Sequence, residues 1–123
     1  MTKTFTLLQL FSIVDGRLST TIDDVYEILN HVTDDNLMTH HLPVAMNYLK
    51  EKNPKWFREI TQRINTIKAH LVSNTFETVI GAIKDKYNDE YEIPQLKDEC
   101  DTSDFADFMI GNSLLLKKMK SNN

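Results

Sequence analysis

Three of the four histidines in this chain lie close together in the sequence, at His31, His40 and His41, with Asp34 and Asp35 between the first two. Imidazole and carboxylate groups are ligands that zinc and related metals accept, so one hypothesis is a metal-dependent enzyme that uses His31, His40 and Asp35. Adjacent helical residues point about 100° apart, which leaves at most one of the paired histidines able to join His31. The spacing fits a shared site poorly, and we expect no bound metal and no cofactor.

Nucleophilic chemistry has one sulfur candidate, because Cys100 is the only cysteine in the chain. Its neighbours Asp98, Glu99 and Asp101 should raise its pKa and disfavour the reactive thiolate. The sequence also has no glycine-rich phosphate loop, no dinucleotide-binding fingerprint and no serine nucleophile elbow. We therefore expect a protein that is not an enzyme.

Basic side chains are concentrated in one segment of an otherwise acidic chain, whose net charge is −4. Residues 50–70 contain six lysines and arginines against two glutamates. Such a segment can follow phosphates, so nucleic-acid binding is an alternative function, although charges spread over several helical turns more often form a solvated face. The candidate residues of this alternative are Lys50, Lys52, Lys55, Arg58, Arg63 and Lys68.

Trp56 and Phe57 lie beside Lys55 and Arg58, an arrangement of aromatic and cationic groups that single-strand binders use. Ile60 continues the same apolar stripe at helical spacing, which favours a core position for at least one of the two aromatic rings. The other ring could anchor a protein interface, where tryptophan is enriched. We therefore take Trp56 as a candidate interface residue.

The elements that would position these residues are mostly helical. Phe5 to Val14 is a nearly continuous apolar run that ends before Gly16, which predicts a short helix with a glycine cap. A buried strand is the alternative, because periodicity cannot decide so short a run. Thr21 and Asp24 have the spacing of a capping box and predict the start of a second helix, which would bury Ile22.

Later helix starts are marked by prolines and by capping residues. Pro43 is suited to a first helical turn, and Asn53-Pro54 precedes the most strongly amphipathic stretch of the chain. Asn74 and Glu77 form another candidate capping box. For the last helix we expect Ser103 or Asp104 as the cap, Gly111 as the end, and a further turn or two over Ser113 to Lys120.

The composition favours a helical protein, because three glycines and three prolines leave little room for a loop-rich architecture. We predict an all-α fold: one compact domain of about five or six helices over residues 1–120, a short extended segment near 91–94, and a frayed tail at 121–123. The single cysteine and the lack of a long apolar stretch predict a cytoplasmic protein that does not enter a membrane.

The best-patterned part of the chain comprises Gly16-Arg17-Leu18, Asp24-Val25-Tyr26, Ile28-Leu29-Asn30, Thr33, Asp35-Asn36-Leu37, Thr39-His40 and Leu42-Pro43. It resembles the signature of a family of short phage and prophage proteins. The chain departs from that signature at Asp34, where the family has glycine, and at Val44, where it has arginine. These departures make a catalytic site shared with that family less expected.

The resemblance implies a phage-derived accessory protein that binds and modulates or inhibits a host protein, for example an antiviral defence complex such as CRISPR–Cas. Partner binding needs only a complementary surface, which agrees with the absence of catalytic motifs. We expect a host protein as the partner, with nucleic acid ranked second. The candidate partner-binding residues are Asp23, Asp24, Glu27, Asp34, Asp35, His40, Trp56, Asp85, Asp89 and Glu90.

Overall fold

The computed structural model describes residues 1–110, and these residues are mostly helical. The five complete α-helices are α1 (Leu7–Asp15), α2 (Ile22–Thr33), α3 (Leu42–Lys52), α4 (Lys55–Ala69) and α5 (Phe76–Ala82). A sixth helix, α6, begins at residue 105 and is described to residue 110. Short 3-10 turns occupy Thr39–His41 and Leu96–Asp98, and a π-helical turn continues α5 over Ile83–Tyr87.

Two strands, β1 (Thr2–Thr6) and β2 (Glu90–Pro94), form an antiparallel sheet in which Lys3 lies opposite Ile93. The prediction of an all-α fold is therefore wrong, since 9% of the described residues are in strands. The expected extended segment near 91–94 is confirmed as β2. Its partner was missed because β1 has one buried residue, Phe5, and pairs with a segment at the far end of the sequence.

Side-chain and backbone caps set the ends of the first two helices. The Thr6 hydroxyl accepts a hydrogen bond from the Gln9 amide and the Gln9 side chain accepts one from the Thr6 amide, so α1 begins after β1 rather than at Phe5. Gly16 ends α1 in the left-handed conformation at φ 87°, and Thr21 caps α2. The predicted glycine cap and the predicted helix start at Thr21 are confirmed, although only the Thr21 half of the expected capping box is formed, in which its hydroxyl accepts from the Asp24 amide.

Two non-glycine residues also adopt left-handed backbone conformations, Asp34 at φ 53° and Asn53 at φ 49°. Asp34 ends α2 in this conformation, which glycine adopts at least cost. Asn53 ends α3, so the cap of α4 is Pro54 alone. The predicted Asn74 cap of α5 is wrong, because the neighbouring Thr75 hydroxyl accepts from the Thr78 amide.

The core is one hydrophobic cluster with α1 at its centre, where Leu7, Leu10 and Ile13 are completely buried. Helix α1 packs against α2 and α4, and the sheet joins its N-terminal end. Pro43 lies in the first turn of α3 as predicted. No helix in the described part of the chain is long and apolar enough to cross a membrane. The predicted helix end at Gly111, the turns over 113–120 and the tail 121–123 lie outside the described residues.

Candidate functional site

An open groove of about 420 Å³ lies between the α1–α2 loop, the start of α2 and the outer side of α3. We call it the 16–43 groove, because most of its lining comes from that part of the chain. It is lined by Ser12, Gly16, Arg17, Leu18, Ile22, Val25, Thr39, Leu42, Pro43, Met46, Asn47 and Lys50. Seven residues of the best-patterned segment therefore lie on one concave surface: Gly16, Arg17, Leu18, Val25, Thr39, Leu42 and Pro43.

The lining is largely apolar, and part of it is open to solvent. Leu18 is 52% exposed and Ile22 is 45% exposed, whereas Val25 and Leu42, which also line the groove, are buried. Exposed apolar groups gathered in a concavity are typical of a surface that another molecule covers. The expectation that Ile22 would be buried is wrong, because Ile22 is the first residue of α2 and lies at the edge of the core.

Hydrogen bonds hold the walls of the groove in place. The Ser12 and Ser19 hydroxyls lie 2.7 Å apart, the Ser19 amide donates to Ser12 Oγ, and the Ser19 hydroxyl donates to the Leu8 carbonyl. This network ties the α1–α2 loop to α1. On the other side, the Tyr26 and Thr39 hydroxyls are hydrogen-bonded, which ties α2 to the 3-10 turn before α3. The concavity is thus built into the fold rather than left by a loose loop.

Two basic side chains, Arg17 and Lys50, belong to the lining, which contains no carboxylate. Arg17 forms an ion pair with Asp15 at 2.7 Å, and its guanidinium lies 4.2 Å from the centre of the Phe76 ring. The hydrogen bond to Asp15 raises the pKa of Arg17. Lys50 is exposed and forms no ion pair with any residue in 1–110. Lys50 therefore presents an unpaired positive charge at the groove, whereas the charge of Arg17 is largely neutralised by Asp15.

The three histidines that are clustered in the sequence each make contacts with nearby residues. His31 Nε2 lies 2.7 Å from the Ile93 carbonyl oxygen, which ties α2 to β2. His41 Nδ1 accepts from the Met38 amide at 3.0 Å, while the exposed His40 ring packs against His41. Over residues 1–110, no three His, Cys, Asp or Glu side chains come close enough together to hold a metal ion. The structure does not bring His31, His40 and Asp35 together as a ligand set.

The acidic candidate residues are dispersed, and none of them lines the 16–43 groove. Glu27 pairs with Lys3 at 2.7 Å, and Asp34 pairs with Lys97 at 2.8 Å. The Lys97 hydrogen bond lowers the pKa of Asp34. The other acidic candidates are Asp89, which pairs with Arg63, and Asp23, Asp24, Asp35, Asp85 and Glu90, which form no ion pair within the described chain.

The basic candidate residues do not form one stripe. Arg63 and Lys68 point about 140° apart on α4, because each helical residue adds about 100°. Lys52 pairs with Asp104 at 2.8 Å and Arg63 with Asp89 at 3.4 Å, so both are already neutralised. The remaining members are Lys50 on the groove, Lys55 near Glu59, and Arg58, which donates to the Asn53 carbonyl. This arrangement gives a nucleic-acid backbone no continuous track.

Trp56 is 4% exposed and packs edge-on against Phe57, which is also buried. Both rings therefore belong to the core, and this placement argues against Trp56 as an exposed interface residue. The Trp56 indole N–H has no hydrogen-bond partner among residues 1–110. The periodicity of α4 predicted a core position for at least one of the two rings, and the structure buries both.

Cys100 is half-buried, and its thiol donates weakly to the Leu96 carbonyl. Burial is the main cause that raises its pKa, with smaller contributions from Glu99 and Asp101. The predicted rise in the pKa of Cys100 is confirmed. The prediction attributed the rise to the acidic neighbours, whereas burial is the larger cause. A thiol in this state is a weak nucleophile.

A family model described as a domain of unknown function (DUF7736) matches residues 5–62, slightly less than half of the chain. That range contains every residue that lines the 16–43 groove. Neither the curated proteins nor the solved structures contain a match to this chain.

Proposed function

We propose that this protein works by binding another protein through the 16–43 groove, without catalysing a reaction. The observation that carries the proposal is the exposure of Leu18 and Ile22 on the rim of a concavity whose floor is apolar. Burial of exposed apolar surface is the main favourable contribution to most protein–protein association. A groove fixed by hydrogen bonds also loses little conformational freedom when a partner binds.

We further propose that the partner is a host protein and that binding inhibits it in the host cytoplasm. The support is the resemblance of the 16–43 segment to short phage and prophage proteins, whose accessory members commonly act on host machinery. An antiviral defence complex such as CRISPR–Cas is the kind of target that this origin favours. The match of the family model to residues 5–62 supports a role for the part of the chain that forms the groove.

The groove is one part of the interface that this proposal requires. Full burial of a leucine or isoleucine side chain contributes about 1.5–3 kcal/mol, so the half-exposed Leu18 and Ile22 together offer about 2 kcal/mol. Association costs at least about 4 kcal/mol in lost translational and rotational freedom. The partner must therefore also cover neighbouring surface, and the adjacent Met38, which is 63% exposed, is available for it.

The proposal is tested by affinity capture from a bacterial lysate with the tagged full-length protein, followed by titration of each purified captured protein. Leu18→Asp is the test variant. Val72→Asp is its matched control, because Val72 is fully exposed in the loop between α4 and α5 and lies outside the groove. We expect a captured protein whose affinity falls at least about tenfold with Leu18→Asp, since a charge would then face the apolar floor.

The control should bind like the wild-type protein. A captured partner that binds both variants and the wild-type protein equally would contradict a groove-centred function, and so would the absence of any captured protein.

A further inference from the structure

We propose that the 16–43 groove receives an acidic amphipathic segment of the partner, whose apolar side chains enter the groove while its carboxylates meet Arg17 and Lys50. This inference rests on the proposed function, and it adds the chemistry of the bound segment. It is drawn from the combination of an apolar floor with positive charge and no carboxylate in the lining.

The size of the groove suits a few side chains rather than a whole domain. Its volume of about 420 Å³ lies near the lower end of the range of about 300–1,000 Å³ that binding clefts occupy. The lining combines Pro43 and Met46 of α3 with Leu18 of the α1–α2 loop and Ile22 of α2, so apolar groups of several elements are open to an entering side chain. A helix that inserts residues from one face is a common way to fill such a groove.

The Arg17 guanidinium is oriented and still able to bind a carboxylate. Nε and Nη2 donate to the two carboxylate oxygens of Asp15, at 2.7 and 3.3 Å, and the Phe76 ring lies under the guanidinium. Arginine has five N–H donors, so the Nη1 hydrogens remain free of any hydrogen bond within the described residues. Because Asp15 and Phe76 fix the plane of the group, little side-chain freedom is lost when it binds a carboxylate.

Lys50 supplies the second positive charge, and it lies on the last part of α3, away from the Arg17 loop. With no ion pair in the described chain, its ammonium is available to an incoming carboxylate. A carboxylate of the segment is therefore attracted to Lys50, and a second one can accept from the free Nη1 hydrogens of Arg17, whereas a basic segment is repelled at Lys50.

The test is selection from a displayed library of random peptides about 15 residues long, which is enough for a short helix. The full-length wild-type protein is the bait, with parallel selections on Leu18→Asp, Lys50→Glu and, as the control, Lys84→Glu. Lys84 is an exposed lysine of the π-helical turn outside the groove. Binding of the enriched peptides is then measured by titration against each bait.

We expect the wild-type bait to enrich peptides with negative net charge and apolar residues spaced three or four apart. Their affinity should fall roughly tenfold or more on Leu18→Asp and on Lys50→Glu, while Lys84→Glu leaves it unchanged. Enrichment of neutral or basic peptides, or equal affinity for wild type and Lys50→Glu, would overturn the inference. Either of these two contrary outcomes leaves the proposed function intact, provided that a captured protein still loses affinity on Leu18→Asp.

A second copy of this chain is the competing occupant, because the chain itself is acidic overall. Light scattering on the same baits separates the two cases. A monomeric wild-type protein agrees with the inference, whereas a wild-type dimer that Leu18→Asp converts to monomer would show that the groove is already filled by self-association and would overturn it.

Discussion

At the scale of single residues, the most consequential contact outside the groove is made by Asp104. Its Oδ1 accepts a hydrogen bond from the buried Tyr48 hydroxyl at 2.6 Å, and its Oδ2 lies 2.8 Å from Lys52 Nζ. The rings of Phe105 and Phe108 pack edge-on against the Tyr48 ring, both at 5.1 Å. One carboxylate therefore fastens the start of α6 to α3.

This contact predicts a pH-dependent loss of stability in Asp104→Asn. The Lys52 hydrogen bond, followed by the Tyr48 hydrogen bond, lowers the pKa of Asp104 below its ordinary value of 3.8. A carboxyl group with a lowered folded-state pKa stabilises the fold above its unfolded-state pKa and loses that effect as the pH falls through the folded-state value. Urea unfolding at several pH values should show Asp104→Asn less stable than wild type at neutral pH, with the difference disappearing under acidic conditions.

Asp107→Asn is the control for this experiment, because Asp107 is an exposed carboxylate on the same helix with no ion pair in the described residues. It should match wild type across the pH series. Equal stability of Asp104→Asn and Asp107→Asn at neutral pH would show that the contact between α3 and α6 contributes nothing.

At the scale of elements, local sequence predicts the helices well and the sheet poorly. Gly16, Thr21 and Pro43 act through their own backbone geometry or through hydrogen bonds to residues a few positions away, so their roles are readable from the chain alone. Strand β1 exists because it pairs with β2, and no periodicity within Thr2–Thr6 records that partner. The groove is likewise not readable from local sequence, because its lining comes together from α1, the loop after it, α2 and α3 only when the chain is folded.

The two described glycines predict opposite effects of substitution by alanine. Gly16 has φ 87°, so Gly16→Ala should lower the free energy of unfolding by about 1 kcal/mol through backbone strain, although the new Cβ meets no atom within 4 Å. Gly81 lies within α5 and its Cβ position is also open, so Gly81→Ala should raise stability by about 0.5–1 kcal/mol. Denaturant unfolding measures both, and effects of the same sign would contradict the assigned conformations.

The sheet predicts a large cost for loss of the one buried side chain of β1. Phe5 is 2% exposed and lies opposite Tyr91 on β2, so Phe5→Ala should destabilise the fold by about 3–5 kcal/mol. Thr4 is exposed on the neighbouring position, and Thr4→Ala should change stability by less than about 1 kcal/mol. Thermal unfolding of the two variants compares them directly, and a mild effect of Phe5→Ala would mean that β1 is not part of the core.

At the scale of the whole molecule, the proposed binding surface and the stability of the fold depend on different residues. The core around α1 and the contacts of Asp104, His31 and Thr6 hold the fold, whereas Leu18 lies on the groove and is half exposed. The sequence shows that the 16–43 segment is strongly patterned, but the residue types that stand out in it, histidines and carboxylates, are those of a metal site. Its exposed apolar residues became recognisable only when the fold showed which of them the core leaves uncovered.

This separation predicts that Leu18→Asp weakens the proposed partner binding at least about tenfold without unfolding the protein. A half-exposed loop residue contributes little to the core. The free energy of unfolding of Leu18→Asp should therefore stay within about 1 kcal/mol of that of the wild type. Circular dichroism melting curves of the wild type and the variant measure this directly. A large destabilisation would mean that Leu18 has a structural role and that any binding loss reflects unfolding.

The central claim, that the 16–43 groove contacts a partner protein, is tested most directly by photo-crosslinking in bacterial cells. A photoreactive amino acid replaces Leu18 in one full-length protein and Val72 in another, since both positions are exposed but Val72 is outside the groove. The account predicts a discrete covalent adduct with a second protein from position 18 and none from position 72. Adducts that are absent at position 18, or the same at both positions, would contradict it.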